Sequence, residues 1–343
     1  MSEGLEQKII AALTTLIEPK LKWNIVSLNL VRKCYIQENE LFLEIHLVSD
    51  DTDAIMQFRE DCLKAMKPLG FQKVHLDVRH IYVTVEGISA VKQTILVGSG
   101  KGGVGKSTVA VNLAAALSHQ GFKVGLIDAD IYGPSLPAML GITSKPEVLP
   151  EEYLLPVEAH NLKVMSIGML VPPAKAMAWR GSMASGTLIQ FIQKTLWGNL
   201  DYLIIDLPPG TGDIQLTIAH KIKTRGIVMV STPQEVVLGD VRRAIDLYQE
   251  HKTPILAIME NMSGMICEHC GMENHPFIAS KENLRTEVPC YLKIPLHKIV
   301  SQTSDEGIPL VLHDASHPIS EIFFQLARHI VEVAPVSREI LAS

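Results

Sequence analysis

The chain has 343 residues, 47% of them hydrophobic and 20% charged, with a formal net charge of −6. That composition suits a folded globular protein with large cores, and its acidic balance argues against a general nucleic-acid binder. No run reaches the roughly 18 apolar residues of a membrane span. Met1-Ser2-Glu3-Gly4 carries no basic segment, and five cysteines are too few for a disulfide framework, so a cytoplasmic protein with reduced thiols and no membrane partner is expected. At this length two domains are the better expectation.

Residues 1–86 read as a small α+β domain. Leu5, Ile9, Leu13 and Leu16 fall on one face of a first helix, which Pro19 closes. Strands are expected over 25–30, 32–36, 41–48 and 73–85, with a helix over 52–66. Asp50, Asp51 and Asp53 stand where that helix begins. Solvated capping is the plainer role for them, a ligand or partner site the alternative. Cys34 and Cys62 sit within a predicted strand and a predicted helix and suit packing. Residues 87–93 read as a linker.

From residue 94 to 343, strands alternate with helices, which predicts an α/β domain whose mostly parallel sheet is covered on both faces. Strands are expected at 94–97, 123–127, 163–167, 202–206, 226–231, 254–260 and 290–294. The main helices are expected at 106–119, 183–196, 234–250 and 318–333. Residues 168–182, with Pro172, Pro173 and Trp179-Arg180-Gly181, read as a functional loop.

The stretch from Thr94 to Thr108 carries the strongest signal. A short apolar strand runs into Gly100-Lys101-Gly102-Gly103-Val104-Gly105-Lys106-Ser107-Thr108, and the pattern G-x-x-x-x-G-K-[ST] is followed by helical spacing. That is the context a phosphate-binding P-loop requires. Glycines let successive N–H groups converge on one point beside a helix N-terminus, where phosphate is held. Lys106 is expected on the β and γ phosphates and Ser107 on Mg²⁺. Lys101 is unexplained by an ordinary P-loop.

Two further strands end in acids. Asp128 and Asp130 follow the strand at 123–127, and Asp206 ends the strand at 202–206. Strand C-termini face the ligand crevice of an open α/β sheet, so these acids point towards the phosphates. Asp130 suits the attacking water, Asp128 supports Mg²⁺ or the loop, and Asp206 suits a water-mediated hold on Mg²⁺. Pro208-Pro209-Gly210-Thr211-Gly212 forms a tight loop that can respond to a γ-phosphate. Asn261, after the strand at 254–260, offers a donor and an acceptor to an adenine edge.

Cys267-Glu268-His269-Cys270 has three readings: a redox pair, half a zinc site, or half an iron–sulfur site. Two thiolates cannot complete a four-ligand site. His269, His275 and Cys290 are the candidates to complete zinc within one chain, although Cys290 precedes an apolar strand and suits burial. Two copies across a twofold axis would supply four thiolates to one shared cluster.

Taken together, the P-loop, Asp128-Ala129-Asp130-Ile131-Tyr132-Gly133-Pro134-Ser135, Trp179-Arg180-Gly181, the Asp206 to Asp213 stretch, Asn261-Met262-Ser263 and the C-x-x-C resemble the Mrp family of iron–sulfur cluster carrier ATPases, which have a deviant Walker A motif. The likeness covers 94–315, and 1–86 resembles the small iron–sulfur assembly domain often placed before it. The resemblance implies a homodimer that binds MgATP, holds a labile [4Fe–4S] cluster between paired C-x-x-C motifs, and passes it between scaffold and apo-proteins with slow ATP hydrolysis. It implies that Lys101 contacts phosphate across the dimer and that Cys267 and Cys270 are cluster ligands. Two departures stand out. Glu273 to Ser280 replace the usual Gly-rich turn, and Glu18-Pro19 with Ser49-Asp50-Asp51-Thr52-Asp53 replace an Asp-Pro and a Thr-x-x-Cys. A thiol role for the first domain is therefore not expected, and docking is. The competing expectations are a positioning or partitioning ATPase, marked by a basic amphipathic C-terminal helix, and a zinc-stabilised metallochaperone ATPase.

Overall fold

The computed structural model describes residues 3–26, 28, 30–80, 91–170, 181–267, 269–270, 272–275, 277 and 288–336. In the first part, α1 (Glu3–Thr14) and α2 (Thr52–Met66) cover a three-stranded sheet of β1 (Val31–Gln37), β2 (Glu40–Leu47) and β3 (Lys73–His80). Strict alternation in β2 sends Leu41, Leu43, Ile45 and Leu47 into the core, where Phe58, Cys62 and Met66 of α2 meet them. Asp51 caps α2, accepting from the N–H groups of Asp53 and Ala54 at 3.0 and 3.2 Å, which is the plainer of its two readings. Burial pushes the thiols of Cys34 and Cys62 up to about 11 and about 12, as suits packing residues.

Among the described residues of 25–30 no strand forms. Leu28 N–H donates to Asn24 and Leu30 N–H to Ile25, so the backbone closes local turns while Ile25, Leu28 and Leu30 are buried. The apolar residues were sufficient to signal burial but not an extended backbone. Residues 81–85 of the last predicted strand lie outside the described residues. Glu18 is fully buried, and its carboxylate accepts from the N–H groups of Lys20, Leu21, Val48 and Ser49. It thereby clips the turn after α1 to the end of β2.

The second part is built on an eight-stranded sheet. Its strands are β4 (Val91–Ser99), β5 (Val124–Asp128), β8 (Val157–Ala159), β9 (Leu162–Ser166), β10 (Leu200–Asp206), β11 (Gly226–Ser231), β12 (Ile255–Asn261) and β15 (Tyr291–Ile294). Their order is β15-β12-β11-β4-β10-β5-β9-β8, and every pairing is parallel except that of β8 with β9. Two small hairpins complete the strands: β6 (Glu147–Val148) with β7 (Leu154–Leu155), and β13 (Met265–Ile266) with β14 (Glu273–Asn274). Strand β4 starts at Val91, so residues 91–93, expected in a linker, already pair with β10.

The covering helices are α3 (Lys106–His119), α4 (Leu136–Met139), α5 (Gly181–Lys194), α6 (Asp213–Lys221), α7 (Glu235–Glu250), α8 (Lys298–Asp305), α9 (Leu310–His313) and α10 (Pro318–Val333). Buried strands such as β5 and β11 are apolar up to their last residues, Asp128 and Ser231, because helices lie on both faces. Helix α10 packs on α3 through Ile319, Phe323, Leu326 and Ile330 rather than presenting a membrane face. Among the described residues no helix is long and apolar enough to cross a membrane. Leu149 and Tyr153, in the turn between β6 and β7, are buried in the core of the first part. The Arg32 guanidinium also donates to Asn199 beside β10.

Candidate functional site

Strand β4 is central, and its C-terminal end delivers the P-loop between β10 and β11. Gly103 and Gly105 have φ of +79° and +86°, a region open to glycine and strained for other residues. Gly100 is needed for a different reason. A Cβ there would lie 2.7 Å from the backbone of Asp240 and 2.8 Å from that of Val241, so α7 presses directly on the loop. The loop runs straight into α3, whose first N–H groups have no partner inside the helix.

Lys106 is buried and meets Asp206 at 2.6 Å between Nζ and Oδ1. Asp206 itself is wholly buried, and burial raises its carboxyl against the opposing pull of the Lys106 cation. Its second oxygen, Oδ2, is buried with no hydrogen-bond partner among the described residues. Lys106 Nζ also lies 3.4 Å from Ser107 Oγ. Lys106, Ser107 and Asp206 thus converge at one point.

Asp128 does different work. Its carboxylate accepts from the N–H groups of Asp130, Ser135 and Leu136 and from Ser166 Oγ, at 2.9 to 3.2 Å. Both oxygens are committed to the loop that carries Asp130 and to the start of α4. Burial, and then the neighbouring Asp206 carboxylate, push its carboxyl up to about 7. Asp130 is only half-buried, and its Oδ1 accepts from Gly133 N–H at 3.2 Å.

The loop after β10 lies against the P-loop. Gly210 N–H donates to Ser99 at 2.9 Å, and Gln215 Nε2 donates to Pro208 and Pro209 at 3.0 and 2.9 Å. Gln215 is a buried polar residue that no motif singled out. Its position in the first turn of α6, just after the Pro208-Pro209 loop, is the available signal.

Asn261 is buried at the end of β12. Its Nδ2 donates to Val104 at 2.9 Å, and its Oδ1 accepts from Met262 N–H at 2.9 Å. The amide therefore ties β12 to the P-loop. A cavity of 720 Å³ opens here, lined by Gly105, Thr108, Met139, Asn261, Leu296 and Cys267 among others. That volume is ordinary for a small-molecule site of about 300–1,000 Å³. A second cavity, of 590 Å³, lies at the opposite strand ends around Lys123, Lys163 and Leu200, away from the phosphate loop. Ligands in open parallel sheets bind at the strand C-termini, which favours the first.

Cys267 and Cys270 follow β13. Cys267 N–H donates to Met272 at 2.9 Å; its side chain is half-buried, and Cys270 is exposed. Cys290 packs against the core of the second part, with its thiol raised by burial. Among the described residues no three His, Cys, Asp or Glu side chains gather as a metal site. Lys101 is half-buried, and among the described residues its ammonium makes no ion pair. Trp179 and Arg180 lie outside the described residues; Gly181 opens α5.

Residues 90–331 match the family described as the NUBPL iron-transfer P-loop NTPases, of the ParA group. The chain belongs to this iron–sulfur carrier family. It is 38% identical over 336 residues to the iron-sulfur cluster carrier protein of Escherichia coli K12, covering 95% of this chain and 91% of that one. It is 43% identical over 259 residues to the mitochondrial iron-sulfur protein required for NADH dehydrogenase of Arabidopsis thaliana, with 74% and 82% covered. Among solved structures, the nucleotide-binding protein of Archaeoglobus fulgidus in complex with ADP is 38% identical, with a TM-score of 0.60 over 71% of this chain and 97% of that one. The cell division ATPase MinD of Pyrococcus furiosus shares the fold, at 22% identity and a TM-score of 0.55 over 71% of this chain and 100% of that one. This member of the carrier family is accordingly a P-loop ATPase with the doubly covered, mostly parallel sheet expected.

Proposed function

We propose that the chain is an ATP-dependent carrier that holds a [4Fe–4S] cluster between the Cys267 and Cys270 pairs of two copies and delivers it to apo-proteins. One observation carries this reading. A C-x-x-C pair offers two thiols, of which Cys267 lines a nucleotide-sized cavity, and no further His, Cys, Asp or Glu side chains join them as a metal site among the described residues. A cubane cluster takes four thiolates, which a second copy supplies. Four thiolates from two copies would also suit zinc, and it is the likeness to iron–sulfur cluster carriers that supports a cluster there; a partitioning ATPase would leave the thiols without a task. The likeness to MinD is one of fold alone.

The nucleotide reading follows from the loop. The N–H groups of Gly100 to Thr108 and the start of α3 hold the phosphates, Lys106 neutralises them, and Asn261 lies where the base would enter. Asp206 Oδ2, buried beside Ser107 and short of a partner, fits the outer shell of Mg²⁺, a cation that keeps oxygen ligands. When bound, that ion would spread the negative charge of the γ-phosphate. Asp130, at the outer end of its loop, would orient the attacking water and accept its proton. Asp128, with both oxygens in use, would set the position of Asp130 rather than touch the metal. Two units and a short connector remain the reading, with the second unit starting at Val91 instead of residue 94 and the first serving as a docking module.

Reconstitution without oxygen tests the carrier reading. The protein is expected to bind about four irons per dimer, and Cys267→Ala and Cys270→Ala should each abolish binding. Full cluster content in both variants would overturn it. Lys101→Ala tests the paired arrangement: nucleotide affinity should hold while steady-state hydrolysis falls by about 10²-fold or more, the usual effect of removing one charge-stabilising contact. Unchanged turnover would remove Lys101 from the reaction.

A further inference from the structure

The cavity beside the P-loop has an unexpected wall. Gly105 and Thr108 of the P-loop and the start of α3, Asn261, Leu296, Met265 and Cys267 all line it. The segment joining Asn261 to Cys267 is held at close intervals. Asn261 Nδ2 donates to Val104 at 2.9 Å, Ser263 N–H to Ile294 at 3.0 Å, Leu296 N–H to Gly264 at 2.7 Å, and Cys267 N–H to Met272 at 2.9 Å. Met262 within it has φ of +56°, in the left-handed region that non-glycine residues adopt uncommonly. Cys270 differs: it is exposed, and it is not among the residues lining the cavity.

We infer that the base and ribose of a bound nucleotide cover Cys267 from within the same chain, so that nucleotide occupancy closes one thiol of the C-x-x-C pair and leaves the other open. This rests on the nucleotide and cluster reading above and adds an order to it. Phosphates held at the start of α3 leave the nucleoside this cavity, and the nucleoside then lies on the wall that Cys267 helps to form. Cluster ligation through Cys267 and nucleotide binding in one chain therefore oppose each other. By linkage, each weakens the other by the same factor.

The test uses the full metal-free chain, kept reduced, and limiting iodoacetamide, with modification followed separately at each cysteine by peptide mass. MgADP is present at about ten times its Kd, which leaves about one chain in eleven empty. Alkylation of Cys267 should then slow about tenfold, with Cys270 little changed. Pyrophosphate, which occupies the P-loop but has no base, should leave both rates alone. Equilibrium dialysis reports binding independently. Bound ADP with no slowing at Cys267, equal slowing at both thiols, or equal protection by pyrophosphate would overturn the inference. Failure of ADP to bind at all would overturn the nucleotide reading beneath it.

Discussion

Lys106→Met should lower the stability of the nucleotide-free protein by about 3–5 kcal/mol, besides abolishing hydrolysis. The Lys106 ammonium is the cation paired with Asp206, at 2.6 Å, and Asp206 is wholly buried with Asp128 as a near neighbour. Removing it leaves an acid in a low-dielectric site with nothing to offset its charge. In most P-loops the lysine is considered only through its phosphate. Here it also offsets a buried carboxylate. Chemical denaturation of the nucleotide-free variant measures the loss. The double variant Lys106→Met with Asp206→Asn should regain most of the stability and none of the activity. A single variant as stable as the parent would show that the pair contributes nothing to folding.

Gly100→Ala should be the more damaging of two superficially equal glycine substitutions in the loop. An alanine Cβ at 100 would lie 2.7 Å from the backbone of Asp240 in α7, an atom that cannot rotate away, so loop or helix must shift. Overpacking of that kind costs about 1–3 kcal/mol and displaces the N–H groups that face phosphate. At Gly103 a Cβ would meet nothing within 4 Å, and only the positive φ of +79° is strained, at about 1–2 kcal/mol. Gly100→Ala is expected to lose about tenfold or more in nucleotide affinity, while Gly103→Ala unfolds somewhat earlier. The reverse order, read by dialysis and denaturant midpoints, would place the close approach at the wrong glycine.

Much of the site could be read from local pattern because its pieces are short and each has its own logic. Apolar strands at 123–127 and 202–206 end in acids, and the parallel arrangement sends those ends to one edge. The P-loop declares itself by glycines ahead of Lys106. What was missed depends on contacts between distant segments. Gln215 clamping Pro208 and Pro209, α7 pressing on Gly100, and Glu18 gathering four N–H groups have no signature in the residues next to them. The run at 25–30 failed for a related reason. Its apolar residues fill the first core from turns, and β-forming side chains serve that purpose as well as strands do.

The amino-acid sequence by itself determined the type of chemistry: a phosphate-binding loop with acids at neighbouring strand ends, and a thiol pair in a late loop. Those features rest on backbone conformation and strand polarity, which a few residues impose locally. Only the tertiary structure decided how the parts divide the work. It spends Asp128 on holding the Asp130 loop and leaves Asp206 one oxygen to spare. It also sets Cys267 against the cavity that opens from Gly105. These are matters of distance between residues that the chain keeps far apart, and only the packing of helices on both faces of one sheet brings them within reach.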